Sequence, residues 1–594
     1  MNKLDMETKN IIQNNLNIIM EYFPNCIRND EVDFELLKEE LSGVILDEKK
    51  EKYQLTWPGK KESNLLTNVP STNTLRPQFE KSINFDNAQN IYIEGDNLDA
   101  LKILQESYLN SIKFIYIDPP YNTGNDFIYN DNFGKSISDE LIESSQMDEN
   151  GNRLISNMVT NGRFHSDWLS MIYPRLKLAR NLLKDDGVIA ISIDDNEIEN
   201  LKKVCVELFG ENNVEIAIWN KEAEGSSGTL KQTSTFRGIH EYIVFAYKNR
   251  SKVQFYKINE ALKGRENEFQ TANLAVNLEN EKENHPNYFT ITNPSGEKFT
   301  RQWKWSKEEI DRLIAEDLIY WGSDGHKQPR LIIPTDERRT TFLLSILNYG
   351  GTTVGRKDFE TIMGTDIEFS YPKPVILLKK IINSVTDDND IILDFFSGSG
   401  STAQAVLELN KEKNSSRKFI LVQLEEMYDT KSNAYKNGFI SICDVAEERI
   451  RRVLKKQEQV DGFRVYKIDS SNMKDVYYRP SEIAQTNLFD MMSNIKEDRT
   501  SSDLLTQVIL DLGLTLDLKI EERNILNNKV YYVADNALVA CFDDKVNIDI
   551  IDEICKCNPL KVVFKDISFK TDKDKINLEE RIKKLSPDTE ISIL

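Results

Sequence analysis

The sequence lacks the long apolar runs that mark an integral membrane protein. None of its 594 residues lies in a stretch that approaches the ~20 consecutive apolar residues needed to span a bilayer. The first five residues, Met-Asn-Lys-Leu-Asp, do not begin a signal peptide. We therefore expect a soluble protein of the cytoplasm, with no membrane partner.

Paired cysteines and a nucleotide-hydrolysing loop are also missing. The six cysteines are scattered, and only Cys555 and Cys557 are close together, without any CxxC pair. This spacing disfavours a zinc or redox site, so we expect reduced thiols and no metal centre. The sequence contains no GxxxxGK[ST] pattern, which predicts that the chain does not hydrolyse ATP by itself.

Positive charge is scarce as well. The net charge is −21, which argues against a non-specific polyanion binder, because such binding depends on Lys and Arg neutralising phosphates. The charge is uneven, however. Residues 214–370 carry 21 Lys and Arg against 23 Asp and Glu, a net charge of −2, so the rest carry −19. The middle of the chain is therefore where we expect nucleic-acid contacts, with acidic flanks that suppress loose binding.

A chain of this length predicts three or four structural units. The composition shifts indicate five segments: an arm at 1–90, an α/β segment at 91–250, a polar and aromatic insertion at 251–369, a second α/β segment at 370–461 and a C-terminal α/β domain at 462–594. Within the arm we expect an amphipathic helix around 34–41 and a turn-rich stretch over 57–77.

Short apolar runs that alternate with helical periodicity are typical of βαβ units and a largely parallel sheet. Predicted strands are 91–93, 114–117, 188–193, 391–393, 419–422, 530–533, 537–542 and 561–564. Predicted helices are 98–108, 168–183, 374–382 and 402–409, and 185–187 is a predicted turn. Residues 215–219 and 242–247 are expected to pair antiparallel near the sheet edge. The sheet is thus interrupted by the insertion and then resumed.

The tetrapeptide Asp118-Pro119-Pro120-Tyr121 follows the predicted strand 114–117. Methyl transfer to an aromatic amine needs an acceptor for the amine hydrogens, and the Asp118 carboxylate provides one. The prolines fix the backbone, so that the carbonyl of Pro119 can be a second acceptor. Tyr121 offers a face on which a nucleobase can stack. The alternative is a Pro-Pro turn that ends a buried strand, with Tyr121 in the core.

The loop 394–400, Asp-Phe-Phe-Ser-Gly-Ser-Gly, follows the predicted strand 391–393 and precedes a helix. Asp394 can hold the ammonium group of an adenosyl cofactor, and Phe395 or Phe396 can flank its adenosyl group. Ser397 lies in the same loop, and Gly398 and Gly400 let the backbone approach a ligand closely. The alternative is a packing turn.

Three further residues fit the same cofactor. Asp96 can accept from the adenine amine or cap a helix, or both. Gln423, at the end of a predicted strand, stands where a ribose-binding residue is expected. Lys373 can meet the cofactor carboxylate, the alternative being a solvated lysine at a helix start.

Together these segments resemble the β-class amino-methyltransferases of DNA, and in particular the modification subunits of type III restriction–modification systems. The resemblance runs from Trp57 to about Lys467 and rests on the blocks 92–98, 116–124, 127–133, 168–195, 371–374, 393–402, 419–424 and 463–467. Many relatives outside type III carry an acidic residue where Gln423 stands, with Glu425 as the other candidate for the ribose.

The resemblance implies a Rossmann-like S-adenosylmethionine-dependent methyltransferase fold, circularly permuted so that the catalytic half, 91–250, precedes the cofactor half, 370–461. The insertion 251–369 would be the target-recognition domain, where Gln302 and Arg330 resemble base readers no more than other surface polar residues do. The implied reaction is direct transfer from S-adenosylmethionine to N6 of a flipped adenine in double-stranded DNA, without a metal. A homodimer and a separate restriction subunit with ATPase and nuclease are also implied.

The sequence leaves two alternatives. N4-cytosine methylation uses the same amine chemistry, although Asp rather than Ser at position 118 favours adenine in families of this kind. A catalytically silent DNA-recognition subunit is disfavoured by the intact Asp118 and Asp394.

Overall fold

In the computed structural model the described residues are 2–3, 27–28, 31–32, 55–124, 127–129, 154–156, 163–222, 236, 238–259, 270–322, 325–333, 340–367, 369, 371–458, 461–474, 495–569 and 572–594. The helix predicted around 34–41 lies outside these ranges. The chain forms two compact units, one of residues 1–254 with 344–594 and one of residues 255–343, and each is described by itself.

The first part of the larger unit alternates strands and helices. Its elements are α1 (Lys60–Asn68), β1 (Thr74–Pro77), β2 (Asn90–Glu94), α2 (Asn97–Tyr108), β3 (Ile112–Ile117), α3 (Phe164–Leu182), β4 (Leu183–Ile193), α4 (Ile198–Phe209), β5 (Val214–Asn220) and β6 (His240–Tyr247). All six residues of β3 are buried, as expected for a parallel strand covered by helices on both faces. The continuous apolar run therefore becomes a central strand.

The smaller unit is inserted after β6. It contains β7 (Gln270–Asn273), β8 (Tyr288–Thr292), β9 (Lys298–Gln302), α5 (Lys307–Ala315), β10 (Ile319–Tyr320) and β11 (Arg330–Ile333). Strands β7, β11 and β10 form one small sheet, and β8 pairs with β9 in a hairpin. Trp303 is buried in the core of this unit. Gln302 is buried and accepts a hydrogen bond from the Lys282 amide, so this residue has a structural role inside the insertion.

The remaining elements return the chain to the larger unit. They are β12 (Ile346–Leu347), α6 (Thr352–Met363), α7 (Val375–Val385), β13 (Ile391–Asp394), α8 (Ser401–Lys413), β14 (Lys418–Gln423), α9 (Ile442–Gln457), β15 (Phe463–Asp469), α10 (Ser501–Asp511), β16 (Ile520–Ile525), β17 (Asn528–Val533), β18 (Leu538–Cys541), α11 (Ile550–Ile554), β19 (Lys561–Phe564), α12 (Asp572–Leu585) and β20 (Glu590–Ile593).

Ten strands form the central sheet in the order β12-β5-β6-β4-β3-β13-β14-β2-β15-β1. The six strands from β4 to β15 are parallel, and β6 and β1 flank them antiparallel. Strand β13 therefore lies between β3 and β14. It is adjacent to β3 in the sheet although more than 270 residues separate the two strands in sequence. This is the Rossmann-like methyltransferase fold in its permuted order.

The C-terminal residues form a second sheet in the order β20-β19-β18-β17-β16, extended at β20 by the strand Asn2–Lys3. This sheet shares a hydrophobic core with α2 and the central sheet through residues such as Leu504, Val508 and Tyr531. The backbone amide of Leu516 also donates to the buried Tyr108 hydroxyl, at 2.8 Å. The segment that the sequence analysis treats as a C-terminal domain is thus part of the same compact unit.

The predicted elements of both α/β segments and the antiparallel pair β5–β6 are confirmed, with bounds shifted by a few residues. Two expectations are wrong. The turn predicted at 185–187 lies within β4, which begins at Leu183 and changes register with β3 near its start. The stretch 57–77, expected to be turn-rich, contains α1 and β1. The helix α1 buries Ser63 and Thr67, which give no apolar periodicity.

Within the described ranges, every helix is too short or too polar to cross a bilayer.

Candidate active site

The two loops singled out in the sequence meet at one edge of the central sheet. Strands β3 and β13 are parallel neighbours, with Phe114 opposite Ile392 and Ile115 opposite Leu393. Asp118 follows the end of β3, and Asp394 is the last residue of β13. Open α/β sheets bind ligands at the carboxyl ends of their strands. The predicted proximity of these two loops is therefore confirmed.

We call residues 118–121 the amine loop. The Asp118 Oδ1 atom accepts a hydrogen bond from the Tyr121 hydroxyl at 2.8 Å and lies 2.9 Å from the Lys373 Nζ. The indole nitrogen of Trp168 donates to the Pro120 carbonyl at 2.7 Å, and Pro119 is buried. The backbone of this loop is therefore held from α3, while the Asp118 side chain keeps 28% of its surface exposed.

Burial raises the pKa of Asp118 above its ordinary value, and the nearby Glu241 carboxylate adds to this rise, while the ion pair with Lys373 opposes it. A partly exposed carboxylate with a raised pKa is a stronger hydrogen-bond acceptor than an ordinary aspartate. It can hold an amine hydrogen without needing a metal ion.

Lys373 is buried between the amine loop and β6. Its Nζ atom lies 2.7 Å from the Tyr121 hydroxyl oxygen, 3.5 Å from Glu241 Oε2 and 5.0 Å from the centre of the Tyr121 ring. Burial opposes its charge, but Asp118 and Glu241 outweigh burial and raise the pKa of Lys373. Its partners therefore belong to the amine loop and β6, and a contact with the cofactor carboxylate stays a prediction.

The backbone before Lys373 is pressed against α6. A Cβ atom at Gly355 would lie 2.0 Å from the Pro372 carbonyl oxygen, so no larger residue fits without displacing this segment. The carboxylate of Asp358, also on α6, accepts a hydrogen bond from the Val375 amide at 2.9 Å. The position of the lysine is therefore set by a rigid helix.

Glu241 is a site residue that the sequence analysis missed. It stands near the start of β6, outside both loops, and its Oε2 atom accepts from the Tyr121 hydroxyl at 3.0 Å. Its Oε1 atom lies 3.2 Å from the Lys221 ammonium. The available signal was a carboxylate at the start of an otherwise apolar strand, which is too common a pattern to single it out.

We call residues 394–400 the cofactor loop. Asp394 is 2% exposed, and its two oxygens accept from the Thr402 hydroxyl at 2.5 Å and the Phe396 amide at 3.1 Å. No lysine or arginine forms an ion pair with Asp394 in the described part of the chain. Burial raises the pKa of Asp394 to about 7. This carboxylate has neutral donors only.

The glycines of the cofactor loop take backbone conformations that side chains disfavour, with φ of 50° at Gly398 and 76° at Gly400. The hydroxyl oxygen of Ser397 is buried and has no hydrogen-bond partner in the described ranges. A buried polar atom of this kind is usually paired, so this hydroxyl fits a ligand group. Phe395 is fully buried, and Phe396 is 8% exposed.

Arg449, on α9, anchors the cofactor loop by hydrogen bonds. Its buried guanidinium donates to the Ser399 and Ser401 hydroxyls, both at 2.9 Å, and to the Gln404 side chain at 2.8 Å. Burial lowers the pKa of Arg449 to about 10. The sequence analysis missed this residue too, because it lies on α9, about 50 positions after the loop.

The remaining predicted residues surround the same loop. The Gln423 side chain accepts from the Gly398 amide at 2.8 Å, and the Asp96 carboxylate caps α2 by accepting from the Leu98 amide at 2.8 Å. Glu425, the other ribose candidate, forms a surface ion pair with Lys467 at 2.6 Å. Asn97, which we did not predict, donates to the Phe395 carbonyl at 2.8 Å and thereby joins the β2 end to the cofactor loop.

These residues fit S-adenosylmethionine. A buried carboxylate without a protein cation suits a ligand cation, and the unpaired Ser397 hydroxyl and the two glycines suit close approach of a polar ligand.

In the described residues one acidic group, Glu94 with Asp444 and Glu447, has the spacing of metal ligands. The Lys81 ammonium lies 2.5, 3.3 and 3.8 Å from these three carboxylates.

Comparison with known proteins places this geometry in context. Residues 112–456 match the N6/N4 family described as DNA methylase. The chain is 30% identical to the Mod subunit of the Escherichia coli type III restriction-modification enzyme EcoP15I, over 98% of this chain and 96% of that protein. It is also 30% identical to the EcoPI Mod subunit of Escherichia phage P1, with the same coverage, and 34% identical to the StyLTI Mod subunit of Salmonella typhimurium, over 69% of this chain and 64% of that one.

Two solved structures illustrate the structural matches. The M1.HpyAVI–SAM complex has 15% identity and a TM-score of 0.28, covering 60% of this chain and 98% of that one. The PvuII cytosine-N4-specific DNA methyltransferase has 14% identity and a TM-score of 0.29, covering 63% of this chain and 98% of that one.

Proposed function

The chain belongs to the N6/N4 DNA methylase family and, within it, to the modification subunits of type III restriction–modification enzymes, and from this premise we propose that it methylates adenine N6 at a specific site in double-stranded DNA. It is a DNA methyltransferase that uses S-adenosylmethionine. The finer assignment to adenine rests on one observation: the amine loop begins with Asp118, and Asp rather than Ser at this position favours adenine in families of this kind.

On the amine side, Asp118 accepts a hydrogen bond from the exocyclic amine, and the Pro119 carbonyl accepts the second one. These bonds orient the nitrogen lone pair away from conjugation with the ring. Tyr121 stacks against the base, which must leave the duplex because the amine of a paired and stacked base is not accessible to a methyl-transfer site. The partial exposure of Asp118 and the anchoring of Pro120 by Trp168 support these roles.

On the cofactor side, Asp394, Phe395, Ser397, Gly398, Gly400, Gln423 and Asp96 hold S-adenosylmethionine, which supplies an electrophilic methyl group on a sulfonium. Asp394 pairs with a cationic group of the cofactor, and Ser397 donates to or accepts from a polar one. Gln423 keeps the Gly398 amide in place. Because Lys373 is paired with Asp118 and Glu241, we assign it to the amine side and not to the cofactor carboxylate.

The test is the identity of the methylated base. DNA of random sequence is incubated with the protein and S-adenosylmethionine carrying a deuterated methyl group. The DNA is then digested, and the nucleosides are separated by liquid chromatography and identified by mass spectrometry. We expect labelled N6-methyladenine. Labelled N4-methylcytosine would replace the adenine assignment by the cytosine one. DNA binding without any labelled nucleoside would identify a silent recognition subunit.

The unit 255–343 and its flanks would read the target sequence, because net charge there is close to neutral while the rest of the chain is acidic.

The relatives' names describe Mod subunits of type III restriction-modification enzymes. We therefore propose a homodimer that joins a separate restriction subunit carrying ATPase and nuclease. A protein that modifies chromosomal DNA would act in the cytoplasm.

A further inference from the structure

A second carboxylate lies beside the amine loop and comes from an element outside both loops. Glu241 is 8% exposed, and its Oε2 atom lies 3.0 Å from the Tyr121 hydroxyl and 3.5 Å from the Lys373 ammonium. A buried carboxylate is costly unless it is paired, and Lys221 and Lys373 provide that pairing. The question is what this carboxylate does for Asp118.

The Tyr121 hydroxyl has one hydrogen and two carboxylates in reach. Asp118 Oδ1 lies at 2.8 Å and Glu241 Oε2 at 3.0 Å. Burial first, and then these two carboxylates, raise the pKa of Tyr121 well above its usual value, so the hydroxyl keeps its proton. A phenol donates only one hydrogen bond at a time. The hydroxyl can therefore turn from Asp118 to Glu241.

The Lys373 ammonium is shared in the same way. It lies 2.9 Å from Asp118 Oδ1 and 3.5 Å from Glu241 Oε2. Lys373 and Tyr121 both contact the Oδ1 atom of Asp118. Each contact draws electron density from the carboxylate and so weakens it as the acceptor of a hydrogen bond from the substrate amine. Without Glu241, both donors would have Asp118 as their carboxylate partner.

We propose that Glu241 is a positioning residue of the methyl-transfer site, which takes the Tyr121 and Lys373 hydrogen bonds away from Asp118 when the substrate amine enters. This inference rests on the proposed function of the amine loop and assigns one more residue to it. This role needs no contact between Glu241 and the base or the cofactor. Its effect is to keep the Asp118 carboxylate available as an acceptor.

The electrostatics agree with this assignment, because the charge of Glu241 raises the pKa of Asp118. The ionisable groups that act on Asp118 or Glu241 from the surrounding strands and loops are Tyr116, Tyr121, Asp194, Lys221, Lys373 and Asp394. Removing the charge of Glu241 should therefore make Asp118 ionise at lower pH and bind Lys373 more tightly.

The test compares Glu241→Gln with Glu215→Gln in the full-length protein. Glu215 stands on the neighbouring strand β5 and also accepts from a tyrosine hydroxyl, that of Tyr247 at 2.6 Å, and pairs with Arg250 at 3.5 Å, but it does not contact the amine loop. Single-turnover methylation is measured across pH at saturating S-adenosylmethionine, together with cofactor affinity by calorimetry.

We expect Glu241→Gln to lower the single-turnover rate by about tenfold or more. The acceptor contact of Asp118, which Glu241 supports, should itself contribute about 10²–10⁴-fold, and losing Glu241 removes part of that contribution. Cofactor affinity should change by less than about threefold, since the cofactor loop is intact. The acidic limb of the rate profile should move to lower pH. Glu241→Asp, which keeps the charge on a shorter side chain, should recover part of the rate. Glu215→Gln should behave as wild type.

An unchanged rate in Glu241→Gln would overturn the inference, and so would a lower plateau with an unmoved acidic limb, which a merely structural role would give. If Glu241→Gln fails to fold, the test is Glu241→Asp. A wild-type transfer rate in that variant, with intact cofactor binding, would contradict the inference, because the shorter side chain changes the distances to Tyr121 and Lys373. If the wild type transfers no methyl group to DNA, the proposed function itself fails, which is a separate result.

Discussion

Two aspartates end neighbouring strands of one sheet, yet their surroundings are opposite. Asp118, after β3, is partly exposed and shares the Lys373 ammonium with Glu241. Asp394, at the end of β13, is 2% exposed and is bound by a hydroxyl and a backbone amide, with no protein cation in the described ranges. One charge is compensated within the protein, and the other is not.

The difference teaches how one sheet edge supports two tasks. A carboxylate that must accept from a neutral amine needs a nearby cation to offset its buried charge, but that cation must be shared with a second carboxylate so that an oxygen stays available to the amine. A carboxylate that must hold a cation works best when the protein supplies none. Burial raises the pKa of Asp394 to about 7, and no protein cation in the described ranges opposes that rise.

The largest expected effect is at the amine loop. Replacing Asp118 by Ala removes the amine acceptor, so methyl transfer should fall by about 10³-fold or more, within or above the usual range for a general-base contact. Cofactor affinity should stay within about threefold of wild type, because the cofactor loop is untouched. Single-turnover transfer to DNA and calorimetric titration with S-adenosylmethionine measure the two effects.

The matched control is Asp186→Ala. Asp186 also pairs with a lysine, Lys113 at 2.6 Å, but at the opposite end of β3. This variant should keep full transfer activity. If Asp118→Ala lost cofactor affinity as strongly as a variant of Asp394, the division of labour between the two aspartates would be refuted.

The next largest effect is expected at Asp394. Asp394→Ala should weaken S-adenosylmethionine binding by about 10–150-fold, which corresponds to the loss of a hydrogen bond to a charged group of about 1.5–3 kcal/mol. Saturating cofactor should restore part of the transfer rate, which it cannot do for Asp118→Ala. Asp394→Asn separates charge from shape, because the amide oxygen can accept from the Phe396 amide while the side-chain NH2 donates to the Thr402 hydroxyl. Unaltered cofactor affinity in both variants would exclude the assigned role.

The smallest effect is a pH dependence that should belong to one aspartate only. Free Asp394 keeps its proton up to about pH 7. A cationic cofactor favours the ionised form, so affinity should decrease as the pH falls below 7, by up to about tenfold per pH unit, and level off above it. Binding at pH 6 should release a proton, seen as a calorimetric heat that depends on the buffer.

In Asp394→Asn this dependence should disappear, while Asp118→Asn should retain it. A wild-type affinity that is constant between pH 5.5 and about pH 8 would contradict the contrast between the two carboxylates.

Much of the architecture could be predicted locally. The apolar runs of β3, β13 and β14 were recognisable because parallel strands bury both faces. Where the buried face is polar, as with Ser63 and Thr67 in α1, the same reasoning fails, since no apolar period exists to detect. The ion pairs of Lys373 could not be predicted locally, because Asp118 and Glu241 lie far from it in sequence, in the amine loop and on β6.

By itself the sequence determined which residues stand at strand ends: Asp118 after one apolar run, Asp394 after another, and the glycines that follow. These features depend on neighbours only a few positions away. Tertiary structure alone decided that β13 inserts between β3 and β14, that Glu241 and Lys373 meet at Tyr121, and that Arg449 supports the cofactor loop. The physical reason is that strand order and buried ion pairs result from packing the whole chain, and no local preference encodes them.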